Sequence, residues 1–484
     1  MSEVHIPFEN SYAKLADHFY TRQSPAQVPS PHLIKVNKKL ASDLGIVGDW
    51  LDSPIAADVF SGNCVPDGAD PLAQVYAGHQ FGGYSPQLGD GRAILLGEVL
   101  DENGKRFDIQ LKGSGRTAFS RGGDGKSALG PVLREYIVSE AMFALGVPTT
   151  RALAAVTTGE KVRRQEGKIP GGVFTRVAAS HIRVGTFQFF YAQNDIDSVR
   201  TLADYAIKRH YSEVENDPEP YVSFLRCVMQ AHAKLIAQWM SLGFIHGVMN
   251  TDNTSISGET IDYGPCAFMD AFHPQCVFSS IDTGGRYAWG NQPNMGLWNM
   301  SRFAETLVPL IDDDSEVAIA KVEAVLADFP DYFSKQYSER FSAKFCLSEE
   351  GSDSLIKSGL GLLANQEVDF TVFFRLLTEV ADGVDWSELV DLFSEQKSVL
   401  RWLDEWDQQR DSAKLAVMKQ ANPIIIPRNH QIEKAIQNAY AGDYALFHTL
   451  VEAYTRPYVE GEYGVDLEKP PSPDERVRAT FCGT

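Results

Sequence analysis

The sequence predicts an α+β fold of two lobes: a β-rich N-terminal lobe built around one key helix, and a larger, mainly α-helical C-terminal lobe. Three observations carry this expectation. Short strand-like runs separated by glycine-rich turns concentrate between residues 76 and 193. From about Asn194 onward, long apolar stripes recur at helical spacing. The chain is 484 residues long and 44% hydrophobic, which suits two cores better than one.

Residues 1–75 mix short helical stretches, such as Asp43–Leu51, with proline-containing loops and read as a segment that wraps the first lobe. Glycine density then rises in Tyr76-Ala77-Gly78-His79-Gln80-Phe81-Gly82-Gly83 and in Gln87-Leu88-Gly89-Asp90-Gly91-Arg92. A strand is predicted over Ala93–Leu100, a hairpin turn at Asp101-Glu102-Asn103-Gly104, and a second strand over Phe107–Leu111 that ends at Lys112. Strand, glycine loop, strand and terminal Lys is the order in which a kinase-type small lobe covers nucleotide phosphates. Backbone N–H groups at Gly89 and Gly91 can approach phosphate because no Cβ intervenes, and Arg92 can add a forked contact.

The next stretch, GSGRTAFSRGGDGKSALG at 113–130, contains Gly125-Lys126-Ser127, but a P-loop needs Gly at position 120, which is Ser120. Asp124 and Gly125 remain candidate nucleotide contacts on a loop able to close over the site. A helix is predicted over Pro131–Leu145, with Pro131 in its first turn and Gly146 and Pro148 stopping it. It should offer a glutamate to Lys112. Glu140 lies in the apolar stripe of Leu133, Tyr136, Ile137 and Ala144, Glu135 lies to one side, and spacing leaves both open. Strands over Ala152–Thr157 and Gly172–Ala178 follow, placing Arg176 on a strand and Arg183 shortly after it, a pair suited to gripping polyphosphate.

Helix Pro218–Leu242 delivers the chain into LGFIHGVMNTDNTSISGETIDYG at 242–264, where the chemistry concentrates. Kinase-like phosphotransferases carry a His, a catalytic Asp, an Asn five residues on, and a metal-binding Asp before Gly. Here Asn253 and Asp262 supply the oxygen pair for a hard divalent cation, provided a hairpin bent at Ser257-Gly258-Glu259 brings them together. The position five before Asn253 is Val248, which cannot accept a proton, and Asp252 is the nearest replacement for the missing base. Predicted helices near 291–310, 315–328, 354–364, 368–380, 386–420 and 429–455 complete residues 194–468, with a proline-rich tail over 469–484.

The formal net charge of −20 argues against nucleic-acid binding, which draws on clustered Lys and Arg. No signal-like start and no run of eighteen apolar residues occurs, so the expectation is a cytoplasmic protein with no membrane segment. The six cysteines lack zinc or C-x-x-C spacing.

Taken together, QLGDGR at 87–92, QLKGSGRT at 110–117, LREY at 133–136, HGVMNTDN at 246–253 and DYGPCAFMD at 262–270 resemble the selenoprotein O family over nearly the whole chain. The resemblance implies a two-lobed protein-kinase-like fold and a protein adenylyltransferase. ATP is then held flipped relative to ordinary kinases, and AMP passes to Ser, Thr or Tyr hydroxyls of proteins; UMP transfer from UTP is also described for bacterial members. It implies Lys112 as the nucleotide lysine with Glu135 as its partner, and Gly89, Gly91, Arg92, Asp124, Gly125, Arg176, Arg183 and Asp262 as nucleotide contacts. Asn253 and Asp262 become ligands of Mg²⁺ or Mn²⁺, and Asp252 the proton acceptor. It further implies a regulatory disulfide from the terminal Cys482, whose partner position falls at Phe278 here, two residues past Cys276. Two other readings fit parts of the pattern: a kinase-type phosphotransferase, and an inactive nucleotide-binding scaffold, for which Val248 speaks.

Overall fold

The alternation of side chains along β-strands decides how the first half of the chain is built. The computed structural model describes residues 4–164, 167–349, 351–461, 463 and 466–480. Its first strands are β1 (Tyr20–Arg22), β2 (His32–Val36), β3 (Leu72–Gln74), a small ribbon of β4 (Gly78–Gln80) with β5 (Gly83–Ser85), then β6 (Ala93–Leu100), β7 (Arg106–Lys112) and β8 (Ser127–Ala128). A long hairpin of β9 (Arg151–Arg164) and β10 (Gly167–Ala178) follows. The main sheet is antiparallel, in the order β1-β3-β6-β7-β10-β9-β2, with β8 on the side of β10. Residues before 75 thus supply both outer strands, β1 and β2, which leaves little unpaired edge.

One face of this sheet is apolar and packs on the helices α1 (Lys38–Asp43) and α2 (Pro54–Ser61). Leu96, Ile109, Leu111, Val173 and Val177 meet Trp50, Val59 and Phe60 there, all buried. Each such side chain contributes roughly 1.5–3 kcal/mol by leaving water. The expected helix at 43–51 is displaced: α1 ends at Asp43 and only a short 3₁₀ turn covers Asp49–Asp52, because Gly45 and Gly48 take positive φ. The opposite face receives α3 (Leu129–Ala144), which begins two residues before the expected Pro131.

The second half is helical. Helices α4 (Val184–Ala192) and α5 (Ile196–His210) precede α6 (Pro220–Ser241), whose Leu225, Val228, Met229 and Ile236 are buried against neighbouring helices. The two-residue strands β11 (Phe244–Ile245) and β12 (Ala267–Phe268) pair as a ribbon. Helices α7 (Gln292–Ile311), α8 (Ser315–Ala327), α9 (Phe329–Lys344), α10 (Asp353–Asn365) and α11 (Phe370–Ala381) follow. The helix expected over 386–420 is three pieces, α12 (Ser387–Asp391), α13 (Gln396–Gln409) and α14 (Leu415–Ala421). That over 429–455 is two, α15 (Asn429–Tyr440) and α16 (Ala445–Tyr454), broken by a turn with Gly442 at φ 90°. Both return to cover α3, where Phe447 meets Tyr136 edge-on at 5.6 Å. The helix at the heart of the sheet-rich part is therefore clamped by the last helices of the helical part.

Candidate active site

Strand register assembles the first half of the site. β7 places Lys112 opposite Phe174 and Gln110 opposite Arg176 on β10, so these four side chains share the sheet face that looks toward α3. Glu135 on α3 accepts from Lys112 Nζ at 2.6 Å and from Arg176 Nη1 at 3.2 Å. Glu140, five residues and so about 1.4 turns on, faces away: it holds Arg151 at 2.8 and 2.7 Å and accepts from Asn37 at 2.7 Å. Nearly every side chain of α3 is buried, so its apolar stripe could not tell the two glutamates apart.

The second half is the loop between β11 and β12. The expected hairpin around Ser257–Glu259 does not form a ladder. The paired strands lie outside it, at 244–245 and 267–268, and the loop between is held by single bridges, Arg183 to Ser255 and Thr149 to Thr260. His246 is buried, stacks on Trp239 at 5.3 Å, and its Nε2 bonds the Ile261 carbonyl at 2.8 Å, which fixes the backbone just before Asp262. Asp262 itself has φ 64°, a strained left-handed setting for a non-glycine residue. Three cations converge on its carboxylate: Lys112 Nζ at 2.5 Å and Arg176 Nη1 at 2.7 Å on Oδ1, and Arg183 Nη1 at 2.9 Å on Oδ2. Burial would raise the Asp262 pKa, but these cations outweigh it and hold the group well below the usual carboxylate range.

Asp252 sits beside this cluster on a 3₁₀ turn, Thr251–Asn253. Burial pushes its carboxyl up to about 6, against the lowering by a Gln80 hydrogen bond and the Arg183 charge. Its backbone carbonyl accepts from Arg183 Nη1 at 2.6 Å, so one arginine ties Asp252 to Asp262. Asn253 Nδ2 donates to the Val248 carbonyl at 3.1 Å, which turns its amide oxygen away from that contact.

Two contributors were given no role in the site from sequence. The β4–β5 strap lies over the 250–252 turn: His79 N donates to Thr251 Oγ1 at 2.7 Å, Gln80 Nε2 to Asp252 Oδ2 at 3.1 Å, and Phe81 N to Asn250 Oδ1 at 3.1 Å. Arg134, next to Glu135, donates through Nε to the Gly264 carbonyl at 3.0 Å and through Nη2 to Asn429 Oδ1 at 2.7 Å, joining the 262–264 segment to α15. The glycine-rich composition of 76–83 and the LREY run were visible, but their partners lie 130 to 295 positions away in sequence.

These elements enclose a cavity of about 450 Å³. Of the residues expected from sequence, Gly91, Arg92, Lys112, Glu135, Arg176, Arg183, Asp252, Asn253 and Asp262 all line it. Gly89, Asp124 and Gly125 are not in its wall. A Cβ on Gly89 would lie 2.3 Å from the Phe119 ring, and one on Gly125 2.2 Å from the Gly115 carbonyl oxygen, so both glycines permit close packing of the loops behind the cavity. Asp124 pairs with Arg164 at 2.8 Å and accepts from Lys126 N at 3.0 Å. Cys482 lies outside the described residues. Two positions earlier, Thr480 N donates to the Phe278 carbonyl at 2.7 Å, and Cys276 is a free thiol that burial raises to about 11.

The sequence matches the family described as Protein adenylyltransferase SelO over residues 3–455. A protein of Rhizobium johnstonii named Protein nucleotidyltransferase YdiU is 53% identical over 99% of this chain and 97% of its own. Proteins of the same name from Rhodopseudomonas palustris, 52% identical over 99% of this chain and 100% of theirs, and from Nitrobacter hamburgensis, 53% identical over 99% and 96%, are similarly close. With the motifs of the cavity wall and a match of this extent, the chain belongs to the SelO family of protein adenylyltransferases.

Proposed function

We propose that the protein transfers AMP from ATP to Ser, Thr or Tyr hydroxyls of other proteins and releases pyrophosphate, with Asp252 as the proton acceptor. One observation carries this reading: three cations gather on Asp262 beside a buried carboxylate at 252, while the position that serves an ordinary kinase as base is Val248. The acceptor hydroxyl oxygen attacks the α-phosphorus, its proton passes to the Asp252 carboxylate, and the bond from the α-phosphorus to the bridging oxygen of pyrophosphate breaks. Lys112, held by Glu135, and Arg176 and Arg183 are placed to absorb phosphate charge once nucleotide competes with Asp262 for them.

Asn253 and Asp262 are the proposed ligands of a divalent cation, Mg²⁺ or Mn²⁺. Among the described residues no cluster of three or more His, Cys, Asp or Glu side chains could hold a metal alone. One amide and one carboxylate on a cavity wall fit a hard ion that takes its remaining oxygens from phosphate and water. Such a cation, when bound, neutralises the triphosphate and polarises the α-phosphoryl group. We read the sheet-rich residues 76–193 and the helical residues 194–468 as the two lobes of a protein-kinase-like fold, with 1–75 wrapping the first and 469–484 as a tail. The strand-to-helix pair Lys112–Glu135 supports this. A cytoplasmic location is proposed on the five free cysteines among the described residues. No helix there is long and apolar enough to cross a membrane.

ATP labelled on the α-phosphate, incubated with the enzyme and candidate acceptor proteins, should leave label on protein, and mass spectrometry should find adducts of one AMP group. Label transferred only from the γ-phosphate would show a kinase instead, and label from neither an inactive scaffold.

A further inference from the structure

Building on the nucleotide reading above, we propose that Arg121 binds the terminal phosphates of the triphosphate and thereby belongs to the nucleotide site. Arg121 lines the cavity from the loop that follows Thr117. This loop is stapled to the turn carrying Gly89 and Gly91: Thr117 Oγ1 donates to the Asp90 carbonyl at 2.7 Å, and Ser120 Oγ donates to the Gly91 carbonyl. Gly123 N then donates to the Ser120 carbonyl at 2.7 Å, closing a four-residue turn with Arg121 and Gly122 at its centre. Their φ angles, 49° and 84°, are the pair of positive values that marks a type I′ turn.

That turn wants Asn, Asp or Gly at its first central position, because other side chains are strained there. Arg121 sits there nonetheless, exposed, and makes no hydrogen bond or ion pair with any described residue. The remaining cations of the cavity are all engaged: Lys112 and Arg176 with Glu135 and Asp262, Arg183 with Asp262, and Arg92 with a partner of its own. A residue that breaks its local rule without a compensating contact in the protein is expected to find that contact in a ligand. The ligand that the cavity's charge invites is an anion, and a guanidinium on an exposed loop tip suits the phosphates that depart into solvent.

The test is calorimetric titration of the full chain with ATP and with AMP in the presence of Mg²⁺, for the wild type, Arg121→Asn and Arg121→Lys. Arg121→Asn gives the turn a residue it prefers, so melting temperature should hold or rise. ATP affinity should nevertheless fall roughly ten- to hundred-fold, the range for losing a charge-assisted contact, while AMP affinity stays within about two-fold. Arg121→Lys should fall between. Unchanged ATP affinity in Arg121→Asn, or an equal fall for AMP, would overturn the assignment. A wild type that binds neither nucleotide would instead overturn the nucleotide reading on which it rests.

Discussion

In the proposed reaction Asp252 stands in for a base that Val248 cannot supply. Asp252→Asn keeps the shape and the acceptor oxygen for Gln80 but removes the proposed proton acceptor. AMP transfer should drop by about 10²–10⁴-fold while ATP still binds, checked by α-label incorporation alongside a binding titration. The two glutamates of α3 give a matched contrast. Glu135→Gln should weaken transfer through Lys112 and Arg176, whose nitrogens it holds. Glu140→Gln should leave transfer intact and lower stability by about 2 kcal/mol, because it loosens Arg151, which is partly exposed and so less costly to strand than a fully buried partner. Thermal melts of both variants beside the activity assay separate the cases. Lys112 could be read from sequence because it closes an alternating strand and strand register is rigid. Periodicity alone could not select Glu135, because on a helix buried on nearly all sides the apolar stripe does not mark which face meets the sheet.

Among the elements, β6 was legible to the residue, since its short apolar run, buried on both faces, is bounded by a turn signal at each end, Gly89-Asp90-Gly91 and Asp101-Glu102-Asn103-Gly104. The loop between β11 and β12 was legible in composition but not in form. Its ends are joined by the β11–β12 ribbon and its middle by bridges to Arg183 and Thr149, partners no local pattern specifies. The strap of β4 and β5 was missed for the same reason: three hydrogen bonds seat it on residues about 170 positions later. Its closeness to the turn makes a prediction. A Cβ on Gly78 would stand 2.7 Å from Asp252 Oδ1 and 2.9 Å from Asp252 Cβ, so Gly78→Ala must move either the strap or the carboxylate. Transfer should fall by about ten-fold or more, since small misplacements of reacting groups are costly. The loss of stability should be modest, about 1 kcal/mol, typical of one substitution at a strap that can shift. Urea denaturation and the transfer assay on the same preparation would check both; full activity in Gly78→Ala would mean that the strap does not set the position of Asp252.

Across the whole molecule, the sheet-rich and helical parts meet through buried charge as well as through apolar packing. Arg209 on α5 reaches Glu98 on β6 at 2.8 Å and Asp108 on β7 at 2.6 Å, and Asp108 in turn accepts from His181 Nδ1 at 2.9 Å. Arg176 Nε donates to His181 Nε2 at 3.2 Å, so that imidazole is neutral with its proton on Nδ1, and the chain of contacts runs from the joint to the site. Glu259 lies at the same joint, accepting from Ala179 N at 2.9 Å and Ser257 Oγ at 3.0 Å. Burial raises it from 4.5 to about 7 despite these two donors. A carboxyl whose folded pKa lies above its unfolded value keeps its proton in the folded state where the unfolded chain has lost it. Its stabilising contribution is therefore complete below 4.5, declines as pH rises toward 7, and is absent above that. At 1.36 kcal/mol per pH step the decline amounts to at most about 3 kcal/mol. His181, His210 and His232 act oppositely, since burial lowers each of them to about 4 or below and their cost to the fold fades as pH rises toward the ordinary histidine range. The stability of the wild type alone would mix these slopes. The difference between wild type and Glu259→Gln cancels the histidines and isolates the one carboxyl. Measured by urea denaturation from pH 5 to pH 8, that difference should move against the wild type by about 2–3 kcal/mol; a difference independent of pH would show that Glu259 is ionised in the folded protein throughout.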